Sequence, residues 1–174
     1  PNWYWQDYSV AQQVWYYNTL TSADIIFTHN ESDYKYYQGL TNHHDVRILP
    51  SLMIEDTINN LPPVEREGVV VGGNFVSWYG GFDSFAIAQE LDNEVWAPSM
   101  GRKQDQEEEL IKHLPYQNWT EWIHSLNKFK YGVHLMRTHA AGTFALNCAY
   151  LGIPCIGYRG LDTQQICHPS CTVE

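Results

Sequence analysis

Short apolar runs alternate with helix-like segments along most of the chain, and this alternation limits the fold more than any other feature. An apolar run of this length, bounded by polar residues, glycine or proline, is typical of a buried strand. The predicted strands are "DIIFTHN" (24–30), "DVRILPSLM" (45–53), "GVVVGGNF" (68–75), "NEVWAP" (93–98), "YGVHLMR" (131–137) and "IPCIGY" (153–158). The predicted helices are 8–20, 31–40, 82–91, 103–114, 118–129, 142–152 and 162–168.

Strands that alternate with helices at this spacing form a parallel sheet through right-handed crossovers. The predicted fold class is therefore α/β, with a Rossmann-like parallel sheet and flanking helices preceded by a partial strand–helix–strand unit. The polar segment between them contains Asn-Asn and Pro-Pro pairs, which favour a linker. The predicted boundaries are 1–56 for the first unit, 57–67 for the linker and 68–174 for the sheet domain.

The charge of the chain argues against several classes of partner. The 174 residues carry a formal net charge of −10, whereas nucleic acid and anionic membrane surfaces are bound by clustered cations. No apolar run reaches the roughly 18 residues of a membrane span and no signal peptide is visible, so a cytoplasmic location is predicted. A phosphate ligand stays compatible with this charge, because backbone N–H groups bind anions with few cations.

The segment "THAAGT" (138–143) is the strongest candidate for chemistry, because it links a strand to a helix start. In parallel sheets, ligands bind at the carboxyl ends of strands, beside helix N-termini. Small residues here let the backbone approach a ligand, and free N–H groups favour an anion. His139 could orient a substrate, act as acid or base, or bind phosphate. The alternative is an ordinary helix start capped by Thr138.

Two other segments are weaker candidates for a phosphate site. Gly72 and Gly73 follow a strand, but most Gly-Gly turns are merely tight. Arg102 and Lys103 are the one adjacent basic pair in the chain and could neutralise a diphosphate, or could complement the acidic run "DQEEE" that follows.

The histidine and cysteine pattern favours core positions over a metal site. His134 lies within a predicted strand and is expected to be a core residue with satisfied hydrogen bonds, whereas His43 and His44 are expected to be exposed. Cys148 and Cys155 fall in apolar patterns, where cysteine is usually a small core residue. "CHPSC" (167–171) could suggest a metal or a disulfide, but no second ligand pair accompanies it, so no metal is predicted.

In the order and spacing of their strands and helices, and in one local motif, residues 68–174 resemble the C-terminal, nucleotide-sugar-binding half of group 1 GT-B glycosyltransferases. The family motif has an acidic residue, seven intervening positions, a second acidic residue, and a small helix that ends in Gly-x-Pro. "HAAGTFALNCAYLGIPCIG" (139–157) aligns with it without gaps, with His139 and Asn147 where the family has acidic residues. Residues 1–56 resemble the end of the family's N-terminal domain.

The resemblance implies a nucleotide-diphosphate-sugar donor, no metal or other cofactor, and a glycan or other small acceptor held mainly by an N-terminal domain. His139 would face the transferred sugar, and Asn147 would hydrogen-bond the ribose. The diphosphate would lie over Ala141, Gly142 and Thr143, where helix-start N–H groups would stabilise the leaving group. The remaining donor contacts implied are Gly73, Asn74, Arg102, Lys103, Leu114, Tyr116, Thr163 and Gln164.

The predicted function is therefore that of a glycosyltransferase whose donor is of the UDP or GDP type. This half would bind the donor, and the chain alone is expected to be inactive because most of the N-terminal domain is missing from it. The alternatives are a non-catalytic nucleotide-binding or interaction module on the same fold, or a nucleotide-sugar epimerase-like enzyme. The replacement of acidic residues by His139 and Asn147 favours the module. In addition, the basic pair that the family usually has near the phosphates is not evident after "VVVGGNF".

Overall fold

The computed structural model describes residues 8–42, 45–73, 75, 79–99, 107–137, 142–160 and 162–174. Within these, the chain forms two compact units that meet in sequence between Ser51 and Leu52. Several predicted positions lie outside the described residues, and the predictions for them stay predictions: His43, His44, Asn74, Arg102, Lys103, His139 and Ala141.

The first unit is the strand–helix–strand unit expected from the sequence, preceded by a helix. Its elements are α1 (Val10–Ser22), β1 (Ile26–Thr28), α2 (Glu31–Thr41) and β2 (Val46–Ile48). The two strands pair in parallel with Ile26 opposite Val46, and both side chains pack with Tyr37 of α2 in a small core. The Tyr37 hydroxyl lies 2.9 Å from that of Tyr16, which ties α1 to α2.

The second unit is an α/β domain built on one parallel sheet. Its elements are α3 (Glu55–Asn59), β3 (Val69–Val71), α4 (Gly81–Leu91), β4 (Val95–Ala97), α5 (Glu107–Leu110), β5 (Lys112–His113), α6 (Trp119–Leu126), β6 (Tyr131–His134), α7 (Thr143–Tyr150), β7 (Cys155–Tyr158), α8 (Asp162–Cys167), a 3₁₀ turn (Pro169–Cys171) and β8 (Thr172–Val173). The six strands run parallel in the order β5-β4-β3-β6-β7-β8. The predicted Rossmann-like fold class is confirmed.

Both faces of the sheet are covered, which explains why its strands are continuous apolar runs. Val70 of β3 packs on one face with residues of α6 and α7, including Ile123 and Cys148. Val69 and Val71 point to the other face, where they pack with Phe85 and other residues of α4. All three valines of β3 are fully buried, so β3 lies at the centre of the domain.

The predicted helix over 103–114 is confirmed at Glu107–Leu110 and is wrong after Leu110. Helix α5 ends at Leu110, and Lys112–His113 form a strand instead, with Lys112 opposite Trp96 of β4. Glu107, one of the acidic residues that favoured a helix, is buried. Its carboxylate lies 2.7 Å from His113 Nε2. Pairing with β4 determines that Lys112–His113 form a strand, and this pairing cannot be seen in the local spacing of apolar residues.

Besides β5, three short elements were not predicted: α3, which spans the expected boundary between the first unit and the linker, the 3₁₀ turn, and β8, which adds an edge strand beside β7. Among the helices that the structure describes, none is long and apolar enough to cross a membrane. The cytoplasmic location stays a prediction.

Candidate functional site

The strand order of the second unit reverses between β3 and β6. The chain runs outward from β3 through β4 to β5, and then returns to the other side of β3 as β6. In open parallel sheets, ligands bind in the crevice outside the carboxyl ends of the strands at such a reversal. Here β3 leads into Gly72 and Gly73, and β6 ends at His134. These residues define the position of the candidate site.

The Gly72–Gly73 turn is packed against aromatic rings. The Gly72 N–H donates to the Val133 carbonyl at 2.8 Å, and a Cβ at Gly72 would lie within 2.8 Å of both Phe144 and His134. Gly73 has a φ of +81°, and a Cβ there would lie 3.1 Å from the Tyr79 ring and 3.3 Å from His134 Nε2. Only glycine satisfies both the backbone conformation and the close approach at this turn.

His134 lies under this turn, and neither of its ring nitrogens has a hydrogen-bond partner among the described residues. The side chain is 6% exposed, stacks on Tyr79 with ring centroids 6.3 Å apart, and meets Phe144 edge-on at 5.5 Å. Burial lowers the pKa of His134 to about 4 from 6.5, so the imidazole is neutral at pH 7 and presents one donor and one acceptor. The prediction of a core histidine is confirmed, but the prediction that its hydrogen bonds are satisfied is wrong.

Leaving such groups unpaired costs roughly 1–3 kcal/mol each, and most buried polar atoms in proteins avoid that cost. The ring contacts of His134 with Tyr79 and Phe144 supply dispersion but no hydrogen bond. His134 therefore retains an unused capacity to bind a polar group.

Helix α7 begins beside these residues at a glycine. Gly142 adopts the left-handed conformation, with φ 65°, and provides no side chain to cap the first N–H groups of the eight-residue helix. A Cβ at Gly142 would overlap the Thr163 hydroxyl, which donates to the Gly142 carbonyl at 3.2 Å. The structure thus brings Gly142, Thr143 and Thr163 together, and the helix start presents N–H donors that suit an anion.

Asn147 lies one turn further along α7 and is buried, with 3% of its surface exposed. When its amide is oriented to satisfy both ends, the oxygen accepts from Trp122 Nε1 at 3.2 Å and the nitrogen donates to the Thr143 carbonyl at 3.3 Å. Both polar ends of Asn147 are therefore used within the fold.

The other described candidates differ in exposure. Gln164 is buried, and its amide nitrogen donates to the Cys155 carbonyl at 2.8 Å, so it ties α8 to β7. Leu114 follows β5, donates its N–H to the Ala97 carbonyl at 2.9 Å, and is partly buried. Tyr116 is 82% exposed and lies on the surface two residues later.

Arg137 is a basic residue near the site that the sequence patterns did not single out. It follows β6 by three residues, donates to Asp83 at 3.0 Å and Tyr158 at 3.2 Å, and lies over the Tyr158 ring. The available signal for both Arg137 and His134 was their position at the end of the run "YGVHLMR", where a parallel strand meets its ligand edge.

A cavity of about 350 Å³ lies at the opposite end of the sheet, where the strands begin (the amino-terminal edge), and none of the predicted site residues lines it. Arg66 lies in its wall and donates to the Asn127 carbonyl at 3.0 Å, to Asn127 Oδ1 at 2.7 Å and to the Leu151 carbonyl at 2.6 Å. Because this guanidinium is bonded to the protein itself, the cavity is a poorer candidate for an anion site than the edge at His134.

The "CHPSC" segment is tied into the fold. His168 is buried, and its Nε2 lies 2.9 Å from the Ala145 carbonyl of α7. Cys167 and Cys171 are free thiols. In the part of the chain that the structure describes, no three His, Cys, Asp or Glu residues cluster as metal ligands would.

No family model and no curated protein sequence matches this chain. Solved structures do match it, at low identity. WaaG, a glycosyltransferase involved in lipopolysaccharide biosynthesis, has a TM-score of 0.66 and 13% identity over 84% of this chain and 48% of its own. TarM of S. aureus, solved in complex with Fondaparinux, alpha-GlcNAc-glycerol and UDP, has a TM-score of 0.66 and 12% identity over 85% of this chain and 32% of its own.

The pneumococcal O-GlcNAc transferase GtfA, solved in complex with UDP and GlcNAc, has a TM-score of 0.56 and 11% identity over 83% of this chain and 32% of its own. The chain thus spans about half the length of WaaG and about a third of TarM and GtfA. These matches show that it has a GT-B glycosyltransferase-like fold, and the second unit has the architecture of one Rossmann-like half.

Proposed function

We propose that this chain holds the donor nucleotide of a glycosyltransferase, which transfers a sugar from a nucleotide-diphosphate-sugar to a glycan or other small acceptor. The observation that carries the proposal is the glycine-capped start of α7 beside the strand reversal, where β3 ends in a glycine turn and β6 ends at His134. In a GT-B-like fold this constellation suits a diphosphate.

The chemistry follows from the N–H groups at the start of α7. A diphosphate leaving group gains negative charge as the glycosidic bond to the donor sugar breaks, and helix-start donors placed in advance stabilise that charge. Ala141, Gly142 and Thr143 would hold the diphosphate. The hydrogen bond from Thr163 to the Gly142 carbonyl supports this by fixing the helix start against α8.

The remaining roles are assigned on the resemblance. Gly73, Asn74, Arg102 and Lys103 would lie around the phosphates, and His139 would face the transferred sugar. The base, of a UDP- or GDP-type donor, would lie near Leu114 and Tyr116, and the exposure of Tyr116 supports its availability. Asn147 would contact the ribose only if its amide exchanged Trp122 for the ligand.

Residues 1–56 are proposed to complete an acceptor-side N-terminal domain, joined through 57–67 to the donor domain at 68–174. Two-stranded sheets are marginal by themselves, and the sheet of the first unit leaves Phe27 56% exposed on the side away from Ile26. Such a face supports packing against further elements of an N-terminal domain.

A second candidate function is a nucleotide-binding module without catalysis. It is favoured by Asn147, which stands at a position that is acidic in the resembled family and whose amide is bonded to Trp122 and Thr143. Binding without sugar transfer or hydrolysis, in a protein that also contains the acceptor-side domain, would identify this module.

Titration of the chain with UDP and with GDP tests the proposal. We expect heat of binding, a thermal shift, and amide chemical-shift changes at Gly142 and Thr143 for one of the two nucleotides. UDP is a suitable probe because TarM and GtfA were both solved with it. Absence of heat and of thermal shift with both nucleotides contradicts the proposed donor role.

A further inference from the structure

The buried imidazole of His134 has no explanation in the fold itself. Within the part of the chain that the structure describes, both ring nitrogens lack a hydrogen-bond partner, although the side chain is more than nine-tenths buried. By contrast, His168 is buried and bonded to a backbone carbonyl, as a structural histidine usually is. The difference suggests that His134 serves something other than the fold.

A glycine turn lies directly against His134. A β-carbon at Gly73 would lie between the Tyr79 ring and His134 Nε2, 3.1 Å from one and 3.3 Å from the other. Gly73 leaves this space free of side-chain atoms, and Nε2 is the imidazole atom nearest to it. A donor on Nε2 is thus directed to the edge at which parallel sheets bind ligands.

The same edge offers few cations among the described residues. Arg137 is bonded to Asp83 and Tyr158, and the sequence has no lysine or arginine between residues 68 and 101, which include the turn after β3. Phe144, in the first turn of α7, contacts both the His134 ring and the Gly72 position, so the helix start and the imidazole belong to one constellation.

We infer that His134 is a ligand-contacting residue of this site, and that its Nε2–H donates to a phosphate oxygen of a nucleoside diphosphate held between the Gly73 turn and the start of α7. The assignment rests on the proposed donor role and adds to it a residue that replaces the charge of a lysine or arginine with a buried neutral donor. Such a donor has no competing water, so its bond to an anion is strong.

The test is a calorimetric titration of the full chain with UDP and with GDP, using wild type, His134→Phe, His134→Gln and His124→Phe. Phenylalanine keeps the ring packing against Tyr79 and removes both nitrogens, whereas glutamine can restore an N–H donor near the position of Nε2. His124 is exposed on α6 and serves as the matched control. We expect binding at least about tenfold weaker in His134→Phe, because it lacks one hydrogen bond to a charged group, and recovery in His134→Gln.

A second measurement needs no variant. In wild type labelled with ¹⁵N-histidine, UDP or GDP should shift the His134 Nε2–H resonance and slow its exchange with solvent, which a purely structural role would not cause. If wild type binds a nucleotide but this resonance is unchanged, or if His134→Phe folds and binds as tightly as wild type, the inference is overturned and the donor role stands. If wild type binds neither nucleotide, the result contradicts the proposed donor role itself, and with it the role of His134.

Discussion

Two polar side chains at opposite ends of the strands of the six-stranded sheet, Arg66 and His134, differ in their hydrogen bonding. At the amino-terminal edge, Arg66 donates hydrogen bonds to Asn127 and to the Leu151 carbonyl. At the carboxyl ends of the strands, His134 is buried, and no described residue forms a hydrogen bond with either of its ring nitrogens. The hydrogen bonds of Arg66 stabilise the fold, whereas His134 retains an unused capacity to bind a polar group.

The direction of the helices explains the difference. Helices α6 and α7 end near the amino-terminal edge, where their last carbonyls accept hydrogen bonds and favour a cation, which Arg66 supplies. Helix α7 begins at the carboxyl edge, where free N–H groups favour an anion, and Gly142 supplies no acceptor side chain. At the ends of α6 and α7, the carbonyls are therefore bonded to Arg66 within the fold, whereas the start of α7 is suited to a ligand.

The largest effect is expected from Gly142→Ala, with Gly152→Ala, at the left-handed glycine that follows α7, as its control. Gly142→Ala should cost roughly 3 kcal/mol of unfolding free energy, because it combines backbone strain with overlap on Thr163. Gly152 has nearly the same φ, +66°, but no atom within 4 Å of an added Cβ, so Gly152→Ala should cost only about 1 kcal/mol. Urea unfolding measures both, and equal losses would contradict the role of Thr163.

Arg66→Met should lower the free energy of unfolding by about 2–3 kcal/mol, because it leaves the carbonyls of Asn127 and Leu151 without their donor. Lys128→Met, which removes an exposed cation next to Asn127 in the sequence, is the control and should change stability by less than about 0.5 kcal/mol. Nucleotide affinity should be unaffected in both variants. A loss of affinity in Arg66→Met at a concentration where the protein stays folded would contradict the separation of the two edges.

The unfolding free energy should fall as the pH is lowered from about 6.5 towards 4, with His134 as one cause. Its pKa is lowered to about 4 in the folded protein, so between these values the unfolded chain binds more protons and acid favours unfolding. The contribution is on the order of 1–2 kcal/mol between pH 7 and pH 5 and is absent above the unfolded pKa. His134→Phe removes this component, so identical pH profiles for variant and wild type would show that the imidazole is not buried neutral.

The smallest effect is expected from Thr163→Val, which keeps the side-chain shape and removes the hydrogen bond to the Gly142 carbonyl. That carbonyl also accepts the Leu146 N–H at 3.1 Å, so it stays paired and the cost should be about 0.5 kcal/mol. Thermal unfolding of Thr163→Val against wild type measures it. A loss above about 2 kcal/mol would mean that the hydroxyl does more than fix the start of α7.

Much of the fold was predictable because its signals are local. The valine run of β3, the apolar stripe of α6 and the glycine before α7 each identify an element from a few neighbouring residues. The strand at Lys112–His113 was not predictable in this way, since it exists through pairing with β4. For the candidate site, the sequence pointed to Gly142 and Thr163, which the structure brings together, but treated His134 as a satisfied core residue and Gln164 as a donor contact, whereas Gln164 is buried and bonded to the Cys155 carbonyl.

By itself, the sequence determined the order of the longer strands and helices, the parallel α/β class, and the glycine at which α7 begins. Periodicity and glycine placement suffice for these, because they depend on residues close in the chain. Only the tertiary structure decided which polar groups are satisfied: Arg66 and Gln164 find partners within the fold, and His134 finds none among the described residues. Hydrogen bonding of a buried group depends on neighbours that are distant in sequence, so no local pattern reveals it.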